Sequence, residues 1–229
     1  MNDDLDQLLV NLGLKRMRQI LERELKLARK TEPSYSDFLA RLLREEYQCK
    51  QERSMQYRIK KAKIPELWSL ETFPFKKQPG VRPATIRQLA ELDFIPQAHN
   101  VVFLGPTGVG KTGLASAILL KALENGYRGL FFKAQDLFDE MFASLADRSS
   151  RKLINRLTKL DILLIDELGY LNLDPAQTNI FFKLMEERYG HKSTIITTNM
   201  LCCAQHKRFY VKQIIMLSCC RSLLHYNDF

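Results

Sequence analysis

Asn100-Val-Val-Phe-Leu-Gly-Pro-Thr-Gly-Val-Gly-Lys-Thr112 sets an apolar run directly before a glycine-rich turn that ends in a Lys-Thr pair. The run Asn100–Leu104 suits a strand buried on both faces of a parallel sheet. The eight residues after it, Gly105, Pro106, Thr107, Gly108, Val109, Gly110, Lys111 and Thr112, fit the spacing G-x-x-x-x-G-K-[ST]. Glycines at these places let the backbone turn tightly and point its N–H groups inward. With the N-terminus of a following helix, those groups form a nest for a phosphate chain. Lys111 is placed to reach the outer phosphates, and the Thr112 hydroxyl to ligate Mg²⁺. A chance match in a chain of this length is on the order of one in a hundred. The match also stands where the chemistry needs it, after a strand and before a helical pattern. The expected ligand is ATP with Mg²⁺.

Two further stretches fit the same site. Leu160-Asp-Ile-Leu-Leu-Ile-Asp-Glu167 is an apolar strand pattern that ends in two carboxylates. Asp166 is expected to hold Mg²⁺ and Glu167 to polarise an attacking water as general base. The bland alternative is a pair of acids opening a helix, and it weakens beside a phosphate loop. Ser193-Thr-Ile-Ile-Thr-Thr-Asn199 is another apolar strand pattern, closed by an amide. Strand C-termini converge on one ligand edge in a parallel sheet, so Asn199 is expected to orient that water or touch the terminal phosphate. An ordinary turn asparagine is its alternative.

The flanking pattern alternates strand and helix. Helices are expected at 111–124, 136–145, 149–159 and 175–189, and strands at 129–133, 160–165 and 194–198. This alternation predicts an α/β fold with a parallel sheet flanked by helices. Upstream, Leu14, Met17, Leu21, Leu25 and Ala28 recur at helical spacing. Thr31-Glu-Pro33 ends that helix. Ser34 and Asp37 then resemble a capping box that opens a second helix through Phe38, Leu39, Leu42, Leu43 and Tyr47. Pro65, Pro74, Pro79-Gly80 and Pro83 punctuate a linker, with a short helix at 85–92. The expected organisation is a basic helical region at 1–64, a linker at 65–99, the nucleotide-binding core at 100–199 and an atypical tail at 200–229.

Of the 229 residues, 45% are hydrophobic and 27% charged, an ordinary globular composition. The formal net charge is +9, which favours an anionic partner such as nucleic acid. It is uneven: from Lys15 to Lys63, fifteen Lys/Arg stand against seven Asp/Glu. Five cysteines with two adjacent pairs make no disulfide framework. The start is acidic, and no apolar run reaches the roughly 18 residues of a membrane span. A cytoplasmic protein without membrane contact is expected.

The three strand-end motifs together resemble the ATPase core of the AAA+ superfamily, in its initiator and helicase-loader branch. The best fit is the IstB-like family, helper ATPases encoded beside the transposase of a class of bacterial insertion sequences and similar to the DnaC helicase loaders. The carrying stretches are Ser36–Leu39, Leu92–Ile95, Asn100–Thr112, Asp161–Tyr170 and Glu187–Asn199. The resemblance implies an oligomer of this chain that assembles on double-stranded DNA in an ATP-dependent manner and assists a transposase. It also implies a DNA-lining helix before the Asp166 strand. Here that helix is about 149–159, with Arg148, Arg151, Lys152, Arg156 and Lys159 as candidate phosphate contacts. A merely solvated helix face is the alternative. The same core would serve a DnaC-like helicase loader.

After Asn199 the family pattern implies a further strand and a small helical lid, which supplies one arginine to a neighbouring subunit's nucleotide and another to its own. Residues 200–229 show no such pattern, and neither Arg208 nor Arg221 fits those roles. The lid is therefore expected to be absent or degenerate, by frameshift or decay, and the P-loop strand to lack its neighbour on one side. An alternative is a zinc site among Cys202, Cys203, His206, Cys219, Cys220 and His225, although adjacent cysteines miss the usual C-x₂-C spacing. Nucleotide binding is expected outright, and ATP hydrolysis only on condition that such an arginine is supplied. A nucleotide-binding remnant with little turnover is thus a third reading.

Overall fold

The computed structural model describes residues 3–75, 78, 81–170, 175–199 and the backbone of 214–218. Two compact units divide at Tyr57/Arg58, inside a long helix, rather than in the proline-punctuated segment.

The first unit is helical: α1 (Asp3–Asn11), α2 (Lys15–Thr31) and most of α3 (Tyr35–Lys61). Its small core joins Leu9, Met17, Ile20, Leu21 and Leu42, with Leu14 and Phe38 packed against it. The capping box forms at the start of α3, where the Asp37 N–H donates to Ser34 Oγ at 3.1 Å and the Ser34 hydroxyl donates to the Asp37 carboxylate at 2.6 Å. Glu32 ends α2 in a left-handed conformation, φ 44°, and its N–H donates to the Ala28 carbonyl. One expectation needs correction. The inward positions of α3 include Phe38, Leu42 and Glu46, whereas Leu39, Leu43 and Tyr47 are 53%, 48% and 64% exposed. The reason lies at α2. Its N-cap residue Leu14 offers no side-chain acceptor, and Glu46 Oε2 accepts the Met17 N–H at 2.8 Å instead. A buried carboxylate from α3 thereby satisfies a donor that the α2 N-terminus leaves open.

The second unit is an α/β sandwich of three layers. After α4 (Pro83–Ala90) come β1 (Asn100–Leu104), α5 (Lys111–Glu124), β2 (Gly129–Lys133), α6 (Ala134–Ala146), α7 (Ser150–Thr158), β3 (Ile162–Asp166), α8 (Pro175–Arg188), β4 (Ser193–Thr198) and β5 (Ile214–Ser218). All strand pairs are parallel, in the order β2-β3-β4-β1-β5. Successive side chains of a strand alternate between faces. Phe131, Ile162, Leu164 and Ile195 accordingly pack with Leu114, Ile118 and Leu119 of α5. Phe132, Leu163, Ile165 and Ile196 pack with Leu137 and Phe138 of α6, Leu157 of α7 and Leu184 of α8. Gly129 opens β2 because the packing leaves no room: a Cβ there would approach the Leu119 and Ile162 side chains closer than 3.0 Å.

The expected vacancy beside β1 is not found. Residues 214–218 pair in parallel with β1, from Asn100↔Ile214 to Leu104↔Ser218. The strand escapes recognition because ladder bonds use main-chain atoms and need only a short apolar run, here Ile-Ile-Met-Leu, at the right spacing. The remaining tail lies outside the described residues, and with it the expectation of an absent or degenerate lid and the readings of Arg208, Arg221 and the cysteine–histidine group. Among the described residues no helix is long and apolar enough to cross a membrane.

Two polar clusters brace this unit away from the nucleotide edge. Asp161, just before β3, accepts the Arg128 backbone N–H at 2.9 Å and the Lys192 ammonium at 2.6 Å, tying together the beginnings of β2, β3 and β4. Arg188, 1% exposed, donates to the carbonyls of Leu157 at 2.6 Å, Leu160 at 3.0 Å and Ser193, and to Thr194 Oγ. It thus closes the C-terminal end of α7 against the entry to β4. Burial pushes its guanidinium down to about 10, against a smaller opposing pull from Asp161, so it stays charged at neutral pH.

Candidate nucleotide site

The site is built at the C-terminal edge of the sheet, where β1, β3 and β4 end. Leu104 and Thr198 are paired residues, and the next N–H along, that of Gly105, donates to the Thr198 carbonyl at 3.3 Å. The phosphate loop and Asn199 therefore leave the sheet side by side. Gly108 and Gly110 both take positive φ, 82° and 80°, which a residue with a Cβ reaches only under strain. Gly110 is also the N-cap of α5 and provides no side-chain cap, so the first-turn N–H groups of α5 have no acceptor from the cap side chain. The Lys111 ammonium arches back over the loop to the Pro106 carbonyl at 2.8 Å.

Thr112 donates to both Asp166 oxygens, at 2.9 and 3.2 Å. Asp166 is 3% exposed and makes no ion pair among the described residues. A buried carboxyl group whose partners among the described residues are hydroxyls is suited to a cation. Together with the Thr112 oxygen it is a hard-oxygen donor set of the kind Mg²⁺ takes. Glu167 follows in a left-handed conformation, φ 60°, with an exposed side chain. The Asn199 side-chain oxygen is buried and has no hydrogen-bond partner among the described residues.

Lys111, Thr112, Glu167 and Asn199 line one cavity of about 390 Å³, together with Thr107, Gly108, Gly110, Gly113 and Thr198. Its other wall comes from the proline-punctuated segment: Trp68, Phe73, Pro74 and Gln78. Phe73 stacks edge-on with Phe75, ring centroids 4.9 Å apart, and lies against Gly110, while Trp68 lies against Gly113. The structure thus brings Thr107, Gly108, Gly110, Lys111, Thr112, Glu167 and Asn199 to the cavity, with Asp166 directly behind Thr112. Gly105, Pro106 and Val109 belong to the same loop without lining it. The aromatic wall was missed by sequence reasoning. The available signal was the chain's single tryptophan between Pro65 and Pro74, in a stretch read only as linker.

The five basic candidates in and beside α7 are not equivalent: Arg151, Lys152 and Arg156 lie within it, Arg148 precedes it and Lys159 caps its end. Leu153, Ile154 and Leu157 turn inward, and the basic side chains face solvent. Arg151 pairs with Glu187 at 3.1 Å and Arg156 with Glu140 at 2.5 Å. Arg148, Lys152 and Lys159 are exposed and form no ion pair among the described residues.

Comparison with known proteins follows the same lines. The pattern of the IstB-like ATP binding protein family matches residues 7–226. The chain belongs to this family. An insertion sequence IS21 ATP-binding protein of Pseudomonas aeruginosa is 35% identical over 196 residues, covering 86% of this chain and 74% of its own length. An insertion sequence IS5376 ATP-binding protein of Geobacillus stearothermophilus is 41% identical over 166 residues, covering 72% of this chain and 66% of that protein. Among solved structures, a DnaC helicase loader superposes with a TM-score of 0.53 at 26% identity, over 59% of this chain and 86% of that one. DnaA from Aquifex aeolicus gives 0.54 at 21% identity, over 66% of this chain and 49% of that one, a likeness of fold. The IstB-like match reaches beyond Asn199, where reading the residues alone finds no family pattern, and takes in β5.

Proposed function

We propose that this chain is an ATP-dependent helper of DNA transposition, which binds ATP with Mg²⁺ at Gly105–Thr112, binds duplex DNA as an oligomer and assists a transposase. The observation that carries the reading is the convergence of Lys111, Glu167, Asn199 and the Thr112–Asp166 pair on one cavity. The loop N–H groups, the α5 N-terminus and Lys111 hold the phosphates. Thr112 and Asp166 hold Mg²⁺, which would neutralise phosphate charge. Trp68 and Phe73 offer apolar faces to the base. Glu167 takes the proton of the attacking water, and the unpartnered Asn199 oxygen orients that water. Hydrolysis awaits an arginine from a neighbouring subunit, which in other phosphoryl-transfer enzymes contributes a factor of about 10³–10⁵.

The basic side chains of α7 supply phosphate contacts, which give affinity with little sequence preference. Names of the similar proteins, all insertion-sequence ATP-binding proteins, support the transposition setting. Likeness to the DnaC loader favours a second reading, helicase loading, which a stable complex with a hexameric helicase and none with a transposase would select.

The test is equilibrium binding of the full chain to ATP and to duplex DNA. ATP should bind with Mg²⁺, Lys111→Ala should lose that binding, and DNA affinity should rise with ATP and fall with salt. Unchanged ATP affinity in Lys111→Ala overturns the site. DNA binding indifferent to ATP overturns the helper role.

A further inference from the structure

Thr197 stands on β4 one residue beyond the Ile165↔Ile196 pair, so it faces Asp166 across the ladder. Its side chain is fully buried, on the sheet face that carries α5. A threonine hydroxyl has one hydrogen to give and two lone pairs. Here the hydrogen goes to Asp166 Oδ1 at 2.5 Å, and a lone pair accepts the Glu167 backbone N–H at 2.9 Å. One oxygen atom is therefore bonded to the carboxylate of the first acid and to the main chain of the second.

Both contacts matter for direction. Asp166 Oδ1 is held between two hydroxyls, Thr112 on one side and Thr197 on the other. Glu167 sits at φ 60°, a conformation that a residue with a Cβ keeps only when its surroundings impose it. The hydrogen bond to Thr197 is one such imposition. Among the described residues the neighbouring Thr198 does nothing comparable: its hydroxyl reaches the Asn199 carbonyl, at 3.4 Å.

We infer that Thr197 is the positioning residue of the acid pair: it fixes the Asp166 carboxylate beside Thr112 and sets the backbone turn that brings Glu167 to the cavity. The inference rests on the reading of this cavity as the Mg²⁺–ATP site. Thr197 does not line the cavity. It acts through the two acids, as outer residues act on the ligands of a metal.

Thr197→Val and Thr197→Ser, made in the full chain, test it. Valine keeps the shape and burial but removes the hydroxyl, whereas serine keeps the hydroxyl. ATP affinity is measured by titration with a fluorescent ATP analogue in Mg²⁺ and in EDTA, and hydrolysis by phosphate release. In T197V, the gain in affinity due to Mg²⁺ and the turnover rate should each fall roughly 10–100-fold. Affinity in EDTA should stay within about twofold, and T197S should recover most of both losses. If T197V does not fold, Thr197→Ala, which puts no γ-methyl where the hydroxyl stood, carries the same expectations.

A hydroxyl-free variant that matches the wild type in Mg²⁺ overturns the inference alone. Equal impairment of the serine and hydroxyl-free variants, or a parallel loss of affinity in EDTA, assigns Thr197 to packing and also overturns it. A wild-type chain that shows no Mg²⁺-dependent ATP binding brings down the reading of the cavity, and the inference with it.

Discussion

Phe73 lies so close to Gly110 that a Cβ on the glycine would sit 3.0 Å from the ring's Cζ. A segment that precedes the sheet in the chain is therefore fitted to the last turn of the phosphate loop. Gly110→Ala meets two obstacles, this ring and φ 80°. It should cost about 1–2 kcal/mol of stability, seen as a lower melting temperature. ATP affinity should fall by more, because the loop N–H groups would turn away from the phosphates. A melting temperature and affinity equal to wild type would show that the loop adapts freely.

Trp68 is the only tryptophan of the chain and lines the cavity. Its intrinsic fluorescence should change saturably as ATP is added, and the change should vanish in Lys111→Ala. Trp68→Ala should weaken ATP binding by about 1–3 kcal/mol, the usual worth of a stacked base. Saturating ATP without any change in emission would remove Trp68 from the base pocket.

Glu167→Gln keeps size and loses the base. ATP affinity should hold within about twofold while phosphate release falls by about 10²–10⁴, the range that general base catalysis contributes. Comparable release by the glutamine variant would move the base elsewhere.

Arg188→Met should destabilise the second unit by about 2–4 kcal/mol, since the carbonyls of Leu157, Leu160 and Ser193 lose a charged donor. Chemical denaturation measures this directly. The Lys substitution should rescue only part, because an ammonium cannot span four acceptors in a planar fork.

Asp161 makes acid stability checkable. Burial opposes its ionisation, but hydrogen bonds from Lys192 and from the Arg128 backbone and side chain outweigh it, and its pKa lies below the ordinary carboxylate value. A folded state that binds the proton more weakly than the unfolded chain gains stability above the unfolded pKa, about 3.9. That gain is lost as pH falls through the lower folded value. Asp161→Asn should therefore be less stable than wild type near neutrality, and the difference should shrink below about pH 4.

The alternation of apolar runs with helical periods made the α/β core legible almost residue by residue. β2 and α5 fall at the expected 129–133 and 111–124, and β1, β3 and β4 within two residues of their expected ends. Their patterns are long, apolar and closed by glycines or charges. The acid pair and Asn199 were legible because strand C-termini share one edge. What the sequence did not disclose depends on contacts across the chain. Trp68 and Phe73 read as linker aromatics until the fold laid them on the loop. Thr197 looks like any strand threonine until its hydroxyl is seen between Asp166 and the Glu167 N–H. The inward face of α3 was misjudged because Glu46 answers a donor on another helix, which no periodicity within α3 can report. The fifth strand escapes for a different reason: a ladder uses main-chain atoms, and a short apolar run carries no motif that reading the residues alone would find.

The β1–β5 ladder has a genetic meaning. A strand held through peptide groups constrains the character of its residues far more than their identity. Codons 214–217 can drift among Ile, Val, Leu and Met, and the loop strand stays flanked on both sides. A stop codon or protease cut ahead of residue 214 is another matter. It would leave the main chain of β1 open along one side, directly under the phosphate loop, as a template for a second molecule. Small lesions in this region should therefore sort sharply into silent substitutions and aggregating truncations.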